Sequence, residues 1–289
     1  MNDLGPVLVT GASSGIGAAT AARLTRAGHT VYATARKADA LVDLAEAGAQ
    51  TRSLDVTDDA SMQAVVEEIV ATHGRVGGLV NNAGYGIYGA VEEVPMDGVR
   101  AQFETNVFGL ARLIQLVLPS MRAARRGRIV NVSSMGGRLT FPYGAYYHAS
   151  KYAVEALSDA LRFEVAGFGI GVTIVQPGII RTSFSERAVA EIPAPGADAG
   201  PYDEFNRSVA QSTQDVYEHG PLAKLSGSPE TVAKVIARAI TARRAPVRVR
   251  VTPSAHYLVT QHRLMPARLW DRFLRTQFPT PTARGPRAY

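Results

Sequence analysis

Thr10-Gly11-Ala12-Ser13-Ser14-Gly15-Ile16-Gly17 directly follows the apolar run Val7-Leu8-Val9 and leads into a helical pattern, Ile16–Ala27, that stops at Gly28. A strand, a glycine-rich turn and a helix in this order make a phosphate-binding unit. Glycines allow a tight turn and close approach of the backbone to a pyrophosphate, and the helix start offers unpaired N–H groups and a positive dipole end. The spacing is G-x-x-x-G-x-G rather than G-x-G-x-x-G. A tight turn needs glycine anyway, so the motif gains its meaning from its place after the first strand. Gly11, Ser13, Ser14, Gly15, Ile16 and Gly17 are the candidate dinucleotide contacts here.

Outward from this turn the chain alternates. Strand candidates are Val7–Thr10, Thr30–Thr34, Thr51–Val56, Gly78–Asn81, Arg128–Ser133, Val172–Gln176 and Val247–Val251. Helical stretches lie between them at Ala38–Ala47, Asp58–Thr72, Pro95–Ala123, Ala145–Ala166 and Pro229–Ala242. Several strands are short apolar runs without alternation, as expected when both sheet faces are covered. The pattern predicts an α/β chain: a single-domain Rossmann fold, with a doubly wound parallel sheet of about seven strands and helices on both faces. Regularity breaks after Gly178. Residues 182–225 are expected to form a variable substrate lid, residues 1–255 the nucleotide-binding and catalytic domain, and 256–289 a C-terminal amphipathic extension.

With 289 residues and 46% hydrophobic content, the chain is long enough for a sizeable core without cross-links. It has no cysteine, which excludes disulfides, thiol nucleophiles and thiolate metal sites. No run of about 18 apolar residues suggests a membrane span, and the N-terminus lacks the pattern of a secretory signal. These features together predict a cytoplasmic protein. The net charge of +6 rests almost wholly on arginine, scattered apart from clusters at Arg122–Arg128 and Arg243–Arg250. No basic-aromatic module accompanies them, so no nucleic-acid partner is expected.

The second strand reports on the cofactor. An acid at its end would bond the ribose 2′-hydroxyl of NAD, and an arginine there would accept the 2′-phosphate of NADP. Here the strand exits into Arg36-Lys37 and the acid is missing, which favours NADP(H). Tyr147 and Lys151 stand four apart at the start of a helical stretch, and so on one face. A nearby ammonium stabilises phenolate and fits the tyrosine for acid–base work on alcohols and carbonyls. Lysine occurs only at Lys37, Lys151, Lys224 and Lys234, which gives this placement weight. Upstream, Ser133-Ser134 ends a strand where hydroxyls face the ligand crevice.

Taken together, Thr10–Gly17, Asn81-Asn82-Ala83-Gly84, Asn106, Ser134, Tyr147 to Lys151 and Pro177-Gly178 resemble the ordered signature of the classical short-chain dehydrogenase/reductases, over roughly the first two-thirds of the chain. The resemblance selects Ser134 over Ser133 and Tyr147 over Tyr146. It implies a catalytic set of Asn106, Ser134, Tyr147 and Lys151, with Asn106 anchoring a water that links Lys151 to solvent. It implies cofactor contacts at Asp55 (adenine), Asn82, Gly84, Tyr147, Lys151, Pro177 and Gly178, and at Ile180 and Thr182 near the carboxamide. It also implies a homodimer or homotetramer built partly on the helices carrying Asn106 and Tyr147. Within the family, the Ala33-Thr34-Ala35-Arg36 strand end and the Ser134–Pro142 stretch look like hydroxysteroid and retinol dehydrogenases. With Phe184, Tyr202, Phe205 and Tyr217 in the lid and Tyr85, Tyr88, Phe141 and Tyr143 beside the motifs, a lipophilic alcohol or carbonyl substrate is expected.

Two other readings compete. A dinucleotide-sensing binding protein on this fold would lose the tyrosine or the lysine, and both are present. A cofactor-retaining epimerase or dehydratase would have another glycine spacing. In the tail, Leu269, Trp270, Phe273, Leu274 and Phe278 share one helical face. This helix reads as a packing or lid element, an oligomer contact, or a peripheral membrane contact. His256 and His262 are too isolated to hold a metal.

Overall fold

The computed structural model describes residues 4–181, 201–218, 221–278 and 280. Seven parallel strands form one sheet in the order β3-β2-β1-β4-β5-β6-β7. They are β1 (Val7–Val9), β2 (Val31–Ala35), β3 (Gln50–Ser53), β4 (Gly78–Asn81), β5 (Gly127–Val132), β6 (Ile170–Gln176) and β7 (Arg248–Arg250). All seven expected strands are present, with ends shifted by a few residues. Strand order reverses between β1 and β4, and a sheet of this kind opens its ligand crevice beyond the carboxyl ends of the strands at that point.

Ten helices accompany the sheet among the described residues: α1 (Gly15–Arg26), α2 (Val42–Glu46), α3 (Asp59–His73), α4 (Met96–Phe103), α5 (Leu110–Ala123), α6 (Ala145–Glu164), α7 (Asp203–Glu218), α8 (Pro229–Thr241), α9 (Pro253–Leu264) and α10 (Ala267–Gln277). Successive strand residues point to opposite faces, so Val7 and Val9 join Leu24 of α1 and Ile236 of α8 in one core, while Leu8 joins Ile69, Leu113 and Val154 of α3, α5 and α6 in the other. That is why the central strands read as apolar without alternation.

The stretch expected as a long helix or a bent pair is α4 and α5 joined by a π-helical turn over Glu104–Gly109. Gly109 is required there, since a Cβ on it would run into the Val56 carbonyl. At the other end of the chain, the first turn of α9 lies before the expected border at 255/256. The tail packs on the protein: Trp270 is buried with Leu139, Leu258 and Val259, and Phe273, Leu274 and Met265 close around them. Leu269, expected on the same face, is instead 48% exposed. The apolar face that a membrane would have needed is otherwise occupied by Leu139 and Phe141. Among the described residues, no helix is long and apolar enough to cross a membrane.

Candidate active site

Each described residue expected from the sequence to be catalytic or to touch the cofactor follows the carboxyl end of a strand or sits on α6 or the π turn beside those ends. The floor is the β1–α1 turn locked to the end of β4. Thr10 Oγ1 accepts from the backbone N–H groups of Asn82 (3.0 Å) and Ala83 (3.1 Å). In return, Asn82 Nδ2 donates to the carbonyls of Thr10 (3.0 Å) and Gly11 (3.2 Å). Gly11 takes a left-handed φ of +66°, and a Cβ on Gly17 would collide with the Gly11 carbonyl and the Asn82 amide. Only glycines let the turn lie this close.

The start of α1 differs from other helix starts. Asp58, Ser228 and Thr252 cap α3, α8 and α9 through their side chains. Ser14, at the same position of α1, makes no side-chain cap bond, and Ser13 and Ser14 are exposed. A side-chain cap is worth about 1 kcal/mol. Its absence leaves the first N–H groups of α1 available to an anion. Ala12 N donates to the Thr34 carbonyl (2.8 Å), which holds the exit of β2 against this turn. Arg36 follows directly, exposed and without an ion pair among the described residues. At the exit of β3, one oxygen of Asp55 accepts from the Thr57 N–H (2.9 Å) and hydroxyl (2.8 Å). These residues fit a nicotinamide dinucleotide.

The π turn places Asn106 under the crevice. Its Oδ1 accepts from Tyr85 N (3.0 Å), and its Nδ2 donates to the Tyr85 carbonyl (2.8 Å) and to Ser150 Oγ (3.0 Å). π turns recur where a functional side chain must be re-aimed. A Cβ on Gly84 would lie 2.9 Å from Asn106 Oδ1 and 3.6 Å from Lys151 Nζ, so the glycine keeps this corner open.

Lys151 is buried and donates from Nζ to the Val132 carbonyl (3.0 Å). Burial pushes its pKa down to about 8, against the opposing pull of Glu155. Nζ lies 5.9 Å from the centre of the Tyr147 ring, and Tyr147 itself is half-buried. Ser134 Oγ accepts from Gly136 N (3.0 Å) and so caps the short turn Met135–Gly137. Ser133 Oγ is buried without a hydrogen-bond partner. Met135 N donates to the Pro177 carbonyl (2.8 Å), which ties this turn to Pro177-Gly178. Ile180 packs its side chain into the core, leaving its backbone for any ligand, and Thr182 and Phe184 lie outside the described residues. The side chain of Tyr217 is likewise outside them.

Two buried polar residues escaped the sequence reading. His148 Nδ1 donates to the Gly136 carbonyl (3.1 Å), and burial lowers its pKa to about 4, so it is neutral and steadies the Ser134 turn. Gly136 and Gly144 are both needed to make room for its ring. Glu155, one turn beyond Lys151, is only 3% exposed. It accepts from Gln176 Nε2 (2.8 Å) and Arg248 Nε (2.9 Å), while Arg248 Nη2 reaches Asp159 (2.8 Å). A glutamate on a helix and an arginine on a distant edge strand give no local signal that they pair.

Aromatic side chains form the roof. The Tyr88 ring lies 5.9 Å from Tyr147, and Tyr88, Tyr202 and Phe278 pack against a cluster of Tyr143, Phe205 and Val209. Tyr202 Oη donates to Glu92 (2.8 Å) and Asn206 Nδ2 to Glu93 (2.9 Å), which fasten α7 over the crevice. Phe141 joins this roof to the tail, 6.2 Å from Trp270 and 6.3 Å from Phe278. No cluster of metal-binding side chains occurs among the described residues.

A family model described as short chain dehydrogenase matches residues 6–192. The chain is 39% identical over 255 residues to a 3-ketodihydrosphingosine reductase of Bacteroides thetaiotaomicron, covering 87% of this chain and 89% of that protein. It also matches the crystal structure of a short-chain dehydrogenase from Streptomyces avermitilis, with a TM-score of 0.76, 38% identity and 94% of each chain covered. A metagenomic short-chain oxidoreductase solved in complex with NADP matches with a TM-score of 0.66 and 26% identity, over 86% of this chain and 96% of that one. The chain belongs to the short-chain dehydrogenase family and is an oxidoreductase of that family.

Proposed function

We propose that this short-chain dehydrogenase is NADP(H)-dependent and interconverts a lipophilic secondary alcohol with its ketone, or an alcohol with its aldehyde. One observation carries the reading: a buried Lys151 ammonium beside Tyr147, in a crevice that also holds Ser134 and the uncapped start of α1. A bound nicotinamide dinucleotide would supply or accept the hydride.

The chain's own residues do the rest. Ser134 Oγ already accepts from Gly136 N, so its proton is left to donate to the substrate oxygen. Tyr147 gives its proton to the developing alkoxide in reduction and takes one from the alcohol in oxidation. Lys151 favours the phenolate by its charge. Asn106 fastens the Tyr85 segment to α6 and so positions both. On the cofactor side, Arg36 would hold the 2′-phosphate, Asp55 the adenine, and the turn from Gly11 to Gly17 the pyrophosphate. Asn82, Gly84 and the Pro177–Ile180 stretch would border the nicotinamide end, and Thr182 is proposed there from the sequence alone.

The substrate proposal draws support from the aromatic roof and from the name of a relative, a 3-ketodihydrosphingosine reductase, which names a keto compound as substrate. Steroid ketones and retinoid aldehydes are lipophilic carbonyls of the same kind. Ala149, Tyr152, Ala156 and Ala160 along α6, with Phe108 on the π turn, are exposed, which supports a homodimer or homotetramer through these helices.

The test is a paired titration with NADPH and NADH, followed by nicotinamide fluorescence, and then turnover of lipophilic ketones. NADPH should bind at least about tenfold more tightly, and Arg36→Glu should erase the difference. Tyr147→Phe should cut turnover by about 100- to 10,000-fold with NADPH binding nearly unchanged. Undiminished turnover in that variant refutes the assignment of the proton donor.

A further inference from the structure

The two arginine clusters far apart in sequence meet at the edge of the sheet opposite the active site. Three connections enter three adjacent strands there: Arg122–Arg126 precedes β5, Phe163–Gly169 precedes β6, and Ala242–Val247 precedes β7. Arg128 stitches the first to the last, donating to the carbonyls of Ala242 (3.3 and 3.2 Å) and Arg243 (2.9 Å). Arg125 reaches the Gly167 carbonyl of the middle one (3.3 Å), and the Arg122 guanidinium stands 5.9 Å from the Phe168 ring centre. The like charge of Arg126 helps push the Arg128 pKa down, after the larger effect of burial.

Arg122, Arg125, Arg126, Arg243 and Arg244 make no ion pair among the described residues, and the three connections contain one carboxylate, Glu164. Apolar side chains stand exposed among them: Phe163 at 77%, Phe168 at 39% and Val247 at 45%. No Asn, Gln, Ser or Thr occurs in these three segments, so nothing uncharged is present to read base edges. A second copy would bring arginine against arginine across a two-fold axis.

We propose that this edge docks on an anionic lipid surface, with the arginines on phosphate headgroups and Phe163, Phe168 and Val247 at the acyl boundary. Basic residues near a membrane attract its negative surface potential, and exposed aromatic rings settle at the interface. The crevice at the opposite edge then stays clear of the surface. This inference is independent of the cofactor and substrate reading.

The experiment is co-sedimentation of the full chain with phosphatidylcholine vesicles, with and without phosphatidylglycerol, alongside sedimentation velocity without lipid. Binding is expected only with phosphatidylglycerol, and should fade at about 1 M salt, where the screening length is about 3 Å. Each arginine near the surface contributes about fivefold in affinity, so R243E/R244E should weaken binding by about tenfold or more. Phe163→Ser and Val247→Ser should each weaken it by several-fold while thermal melts stay unchanged. Phe163 also ends the exposed stripe of α6, so assembly is followed in the same samples. No binding to anionic vesicles overturns the proposal, as does binding indifferent to R243E/R244E. Preference for a duplex oligonucleotide over vesicles overturns it too, as does a Phe163→Ser effect on self-association alone.

Discussion

The floor and the roof of the crevice are built by opposite means. In the floor, Thr10, Asn82 and Asn106 turn their polar side chains onto backbone groups of neighbouring segments, and glycines bring those segments into contact. In the roof, contact is mainly between rings, fastened at one side by the bonds of Tyr202 to Glu92 and Asn206 to Glu93, and Tyr143 Oη and Asn206 Oδ1 are buried without partners. A hydrogen-bonded floor has one geometry, because any shift leaves buried polar groups unpaired. A roof of aromatic contacts can re-pack around ligands of different shape. On the function proposed above, the floor would place the cofactor and the roof would select the substrate.

The floor should be the harder to alter. Gly17→Ala puts a methyl group against the Gly11 carbonyl and the Asn82 amide. It should cost about 1–3 kcal/mol of stability, as overpacking does, and at least about tenfold in NADPH affinity. A thermal melt and a fluorescence titration measure both. A variant that binds like the parent would show that the floor yields as readily as the roof.

An intermediate effect is expected beneath the floor, where Glu155 opposes the depression of the Lys151 pKa. The Lys151 ammonium is present below about pH 8 and lost above it. Turnover limited by that charge should therefore fall on the alkaline side. Glu155→Gln removes the anion that favours the ammonium, so the alkaline limb should move to lower pH. Conversely, a limb that stays in place while stability drops would assign Glu155 a purely structural part. The pH profile of kcat decides.

The smallest effect belongs to the roof. Tyr143 combines a left-handed φ of +76° with a buried, unpartnered hydroxyl, and burial raises its pKa to about 12. Removing that hydroxyl removes an uncompensated buried dipole. Tyr143→Phe should leave the melting temperature unchanged or slightly raised, and should shift KM for the lipophilic ketone with little change in NADPH binding. A marked loss of stability would mean that the roof is as tightly specified as the floor.

Legibility in the sequence followed the same division. The glycine turn, the β2 exit at Arg36 and the Tyr147-to-Lys151 step are local patterns, and each could be located from its neighbours. Seven strands could be counted because runs such as Val7-Leu8-Val9 are apolar on both faces. The π turn at Asn106 was not legible, since its sequence reads as ordinary helix. Nor was the role of His148, whose room comes from Gly136 and Gly144, twelve and four residues before it in the chain. The tail was legible as amphipathic, but Leu269 was placed on the wrong side because the helix turns only part of that face inward.

The sequence by itself determined the order of strands and helices, the phosphate turn and the spacing of the polar residues around the crevice. Those depend on backbone preference and short-range periodicity, which a chain carries locally. Only the tertiary structure decided that Trp270 closes on Leu139 and Phe141, that Glu155 meets Arg248, and that two arginine clusters share one edge with exposed phenylalanines. Such pairings join segments about 90 to 130 residues apart, and their energy comes from burial and charge compensation between surfaces that no local pattern brings together.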